Sequence, residues 1–165
     1  MSKSLMLLVA LLFSINVFLN AQNSFPGNWL GEWDGYMFWY KETKLVDSIH
    51  AGLTIKKTDV DTAWTWKTSY YAKDTIIKDY ILRKKEENWY LIDEGEGIFL
   101  NAFLVNNQLI SMFTVENKPL PAVYTLNKNI LTFEISMWEK QGKVNEQIDD
   151  FVLKSYQKAV LKRKE

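Results

Sequence analysis

The sequence predicts an all-β protein, an antiparallel up-and-down barrel of about 8–10 strands. Three observations predict it. Apolar and polar residues alternate with period two from Trp29 almost to the C-terminus, the mark of strands rather than helices. The segments are joined mostly by short polar breaks that suit hairpins and leave little chain for crossings between two sheets. Both alternating faces are apolar enough to be buried in part, which suits a closed sheet without edges.

The chain starts with the order of an exported leader. Lys3 is basic, Leu5 to Leu19 is apolar apart from Ser14 and Asn16, and Ala21 is a small residue suited to a cleavage point. Residues 1–21 are therefore expected to be a secretion signal, and residues 22–165 a single barrel domain. The run is shorter than the roughly 20 apolar residues of a membrane span, so no span is expected to be retained. The mature protein is expected in the periplasm or outside the cell. Export does not require disulfides, and no cysteine occurs in the 165 residues. Thiol catalysis and thiolate metal sites are thereby excluded. Twenty basic residues balance twenty acidic ones, which speaks against a nucleic-acid partner.

Pro26 and Gly27 punctuate a short approach to the first strand, which carries Trp33 between Gly31 and Gly35 and runs into the aromatic stretch Tyr36 to Tyr40. In residues 46–57, Ile49, Ala51, Leu53 and Ile55 share one face. In residues 63–71, Trp64, Trp66 and Tyr70 oppose Thr65, Lys67 and Ser69. Strands at 76–84 and 89–93 flank the charged tip at 84–88, and Gly95 and Gly97 break the chain. Residues 98–105 and 108–116 form a hairpin about Asn106-Asn107, a pair that tolerates positive φ. Pro121 cannot donate to a central ladder, so the next strand is expected to start near Ala122. It turns at 126–129 into a strand at 130–138. The polar run 139–150 reads as the longest loop. Residues 151–162 read as a strand whose pairing with the first would close the barrel; a helix capped by Asp149 and Asp150 is the other reading.

Gly31-Glu32-Trp33, placed after a leader and before a strand meander, resembles the G-x-W start of the lipocalin and fatty-acid-binding (calycin) superfamily. The resemblance implies a lipocalin-like barrel with Trp33 at its closed end, covered by a basic residue of the last strand, Arg163 or failing it Lys162. The lack of cysteines and of a clear terminal helix points to the shorter ten-stranded bacterial type. Some ten-stranded relatives hold haem through a histidine near the C-terminus; the one histidine here is His50, so no cofactor is expected.

Candidate cavity residues follow from the aromatic faces: Trp64, Trp66, Tyr70, Phe99, Phe103, Phe113, Tyr124 and Phe133, with Met112 and Met137 as adaptable wall. Asn101 and Ser111 share faces with a nearby Phe, and Thr132 and Glu134 alternate with Phe133, lining the interior only if it faces out. These aromatics either line a cavity or fill it. No catalytic residue is assigned: a lone histidine supports neither a triad nor a histidine metal site. Asp93, Glu94 and Glu96 read as a solvated acidic turn or an oxygen-rich ion site, and no metal is assigned. The expected function is binding or carriage of a small apolar or amphipathic molecule, without catalysis. The alternatives are a filled barrel that docks a protein partner on its aromatic first strand, and a carboxylate-using enzyme.

Overall fold

The computed structural model describes residues 25–145 and 147–165; the leader lies outside them. Two compact units are distinguished, residues 1–30 and 31–165. Of the first, the described part is a 3-10 turn, Gly27–Trp29, with the edge of Phe25 against the Trp29 ring at 5.0 Å.

The second unit is a closed antiparallel barrel whose ten strands among the described residues follow chain order: β1 (Gly31–Lys41), β2 (Lys44–Lys57), β3 (Ala63–Tyr71), β4 (Thr75–Lys84), β5 (Trp89–Gly95), β6 (Ile98–Val105), β7 (Gln108–Val115), β8 (Lys118–Asn127), β9 (Ile130–Lys143) and β10 (Asp149–Arg163). The last element is a strand. It pairs with β1 from Trp33↔Arg163 to Lys41↔Ser155, so the sheet closes on itself. Asn106 and Lys128 hold the positive φ that tight hairpin turns need.

Two expected boundaries are corrected. β8 starts at Lys118, so Pro119 and Pro121 lie inside it. Residues 118–121 pair with β7, whereas pairing to β9 begins at Ala122↔Ile135, so the prolines sit where the strand is locally an edge and no donor is missed. The polar run 139–150 is mostly strand: β9 continues to Lys143 and β10 starts at Asp149. This long hairpin is exposed, so charge does not oppose it, and Lys140–Asp149 (2.7 Å) and Lys154–Glu139 (2.8 Å) tie its arms.

The core fills one half of the barrel. Trp33, Leu53, Ile55, Trp66, Leu82 and Leu131 are fully buried there, and the Arg163 guanidinium carbon lies 4.2 Å from the centre of the Trp33 ring. Gly35 is needed for closure. A Cβ on it would stand 2.1 Å from the carbonyl oxygen of Val160, so only glycine lets β1 approach β10 this closely.

Candidate ligand site

The other half of the barrel is not filled. Positions on β1 to β4 leave a mainly apolar cavity of about 290 Å³ at the open mouth, walled by Met37, Trp39, Ile49, Tyr70 and Ile76, with Asp47 and Ser48 also on its lining. Below it lies a second cavity of about 170 Å³, bounded among others by Tyr80, Glu94, Ser111, Tyr124 and Phe133. Tyr70 and Gln157 line both cavities, so they form the boundary between them.

The lower cavity is the polar one. Tyr124 stacks on Phe133 at 4.3 Å and meets the Trp66 ring edge-on at 5.1 Å, which sets the floor. Glu94 enters because β5 alternates: Tyr90 and Ile92 are buried on the inner face, and Glu94 continues that row. Burial pushes its carboxyl above the usual range, against the opposing effects of Lys78 and of the Tyr80 hydroxyl within hydrogen-bonding reach. Glu32, Asp34, Asp93, Glu134 and Glu139 move the other way, each held down chiefly by a hydrogen-bonding partner. The phenols resist ionisation as well. Burial, reinforced by Tyr80 and Glu94, pushes Tyr70 to about 12, and Tyr124 is raised by burial above all.

A carboxyl raised in the folded state binds its proton more tightly there than in the unfolded chain. Stability then falls as pH climbs from the ordinary glutamate range through the raised value, and the penalty persists above it. Glu94→Gln should therefore stabilise the empty protein at neutral pH, with the gain vanishing in acid. Urea unfolding of both proteins across pH checks this; a variant less stable at neutral pH would contradict it.

Several expected cavity residues face elsewhere. Trp64, Trp66 and Tyr70 point inward, but Trp66 is at 0% exposure and belongs to the packed half. Phe113, Ser111, Tyr124 and Phe133 line the lower cavity. Phe99, Asn101, Phe103 and Met112 are corrections, since all four lie on the outer face: Phe99 is 52% exposed and Met112 68%, and Asn101 accepts the Trp89 indole N–H at 2.8 Å. On β6 the smaller Leu100 and Ala102 face inward, paired with Ile92 and Tyr90. Thr132 and Glu134 are outward too, because Phe133 faces in; Glu134 accepts from Tyr156 and pairs with Lys158 at 3.1 Å. Met137 shares the inner row of Phe133 and Ile135 but lies beyond the cavity walls.

The acidic turn does not converge. Asp93 points out to Arg83 at 2.8 Å while Glu94 points in. Among the described residues no group of three or more His, Asp or Glu could hold a metal ion. His50 is on the outer face, 2.9 Å from Asp34 and stacked on Tyr71. The aromatic first strand is not one patch either: Met37 and Trp39 face the mouth, whereas Tyr36 is 57% exposed outside and Tyr40 packs near Tyr156. The sequence does not mark Tyr80 and Gln157 as cavity residues, and it puts Glu94 in a turn rather than in the cavity. For Glu94 a signal existed, the Tyr90–Ile92–Glu94 alternation, hidden by reading the residues as a turn.

Solved structures supply the comparison. The barrel is similar to a protein of unknown function from the DUF3598 family of Nostoc punctiforme, with a TM-score of 0.58 at 15% identity, over 82% of this chain and 47% of that one. The chain thus spans about half the length of that relative. It is also similar to the S-type phycobiliprotein lyase CPES of Guillardia theta, with a TM-score of 0.55 at 9% identity, covering 82% of this chain and 88% of that one. No protein-family model and no curated protein matches the sequence. The likeness is one of fold. It is consistent with a calycin-like barrel.

Proposed function

We propose that this protein binds and carries a small amphipathic molecule and is not an enzyme. One observation supports the reading above the others: an apolar mouth cavity and a smaller, more polar one share Tyr70 and Gln157 in their walls. A filled barrel would have no such gap, since protein interiors pack at crystal-like density. Binding pockets are largely apolar with a few placed polar groups, and their volumes run from roughly 300 Å³ upward. The mouth cavity stands at the low end of that range, so the ligand is small. Its chain occupies the mouth and its polar end the lower cavity. One structural neighbour is by name a lyase; at such low identity no residue role passes to this chain. The leader-like pattern of residues 1–21 supports export to the periplasm or outside the cell.

The test is titration with octanol, octanoate and octylammonium, followed by calorimetry. At least one should bind with one-to-one stoichiometry. Ile76 stands half exposed on the mouth wall, so Ile76→Trp should change stability by no more than about 0.5 kcal/mol. The same change should weaken uptake at least about tenfold by occupying the mouth, a loss of about 1.4 kcal/mol in binding. Undiminished binding by Ile76→Trp would move the site elsewhere.

A further inference from the structure

The lower cavity is more selective than an amphipathic site needs to be. Its walls hold one charged side chain, Glu94, and no cation. Three phenols, Tyr70, Tyr80 and Tyr124, and the Phe133 ring share those walls. Lys78, on the next inward position of β4 toward the mouth, is solvent-exposed and stands outside the lining. A half-buried carboxylate without a cation in its own cavity costs stability. Aromatic rings attract cations through their negative faces and do nothing comparable for an anion. A neutral ligand would leave the carboxylate's cost unrecovered, and a carboxylate ligand would add a like charge beside it.

We propose that the ligand is a small amphipathic amine, its protonated nitrogen held against Glu94 within the ring of Tyr70, Tyr80, Tyr124 and Phe133. This rests on the reading of the barrel as an amphipath binder and adds the chemistry of the polar end. The alkyl or aryl body then runs past Tyr70 and Gln157 to the apolar wall of Met37, Ile49 and Ile76. Ion pairing recovers the desolvation cost that the empty protein carries, so binding and stability are linked through one residue.

Octylammonium, octanoate and octanol share one chain and differ in their heads, so a calorimetric comparison isolates the polar end. Octylammonium should bind at least about tenfold more tightly than octanol, a gap of about 1.4 kcal/mol. Glu94→Gln should erase that gap, with folding verified by thermal unfolding. Octanoate or octanol binding as well as the amine would overturn the amine assignment while leaving the amphipath reading standing. So would an amine preference that survives Glu94→Gln. Failure of all three ligands would overturn both.

Discussion

Gly35→Ala should lose about 3 kcal/mol or more of folding stability, the upper end of the overpacking range. The added carbon would stand 2.1 Å from the Val160 carbonyl oxygen and 3.1 Å from the Leu161 Cα. Both obstacles are backbone, so no side-chain rotation clears the clash. Relief requires β1 and β10 to separate at the ladder that closes the barrel, where Gly35 opposes Leu161. Gly142→Ala is the matched control, because a Cβ there meets nothing within 4 Å. That variant should stay within about 0.5 kcal/mol of the parent. Urea denaturation of the pair reads the difference directly. Equal midpoints would mean that the closing ladder tolerates a methyl group, and the account of closure would fail.

Trp66→Ala should cost about 3–5 kcal/mol, the range for deleting a large buried aromatic side chain. Trp66 is fully buried on β3, paired with Ile55 and Tyr80, and its ring meets Tyr124 edge-on. Its loss removes packing from the filled half and takes away the support beneath Tyr124, so the lower cavity should deepen. Trp39→Ala makes the contrast. Trp39 is 45% exposed at the mouth, so its removal should weaken ligand uptake with a stability loss below about 1 kcal/mol. Unfolding curves and octyl-chain titrations on both variants separate floor from wall. A Trp66→Ala protein as stable as the parent would show that the packed half does not carry the fold.

The two halves of the barrel were not equally legible. Along β3 the inner row could be read directly, because Trp64, Trp66 and Tyr70 oppose Thr65, Lys67 and Ser69 and polarity marks the outer face. Along β6 it could not. Phe99 and Phe103 alternate with Leu100 and Ala102, both rows are apolar, and the larger one faces out. Periodicity identifies two faces but carries no sign when both are apolar; pairing with Ile92 and Tyr90 supplies it. The same limit hid the site. Glu94 reads as part of an acidic turn until the register shows its row continuing Tyr90 and Ile92 into the barrel.

The fold class was legible in the residue pattern alone. Period-two alternation, short hairpins and a final segment able to pair with the first require a closed antiparallel sheet, because an open one would leave apolar edges in water. The tertiary structure decided which face is inside, where packing stops and what lies in the gap. Those depend on side chains from distant strands meeting across the barrel: Trp66 from β3 against Tyr124 from β8 fills the space, while Tyr70, Glu94 and Gln157 from β3, β5 and β10 leave it open. Local sequence encodes each strand's alternation, but a cavity is a sum over all of them.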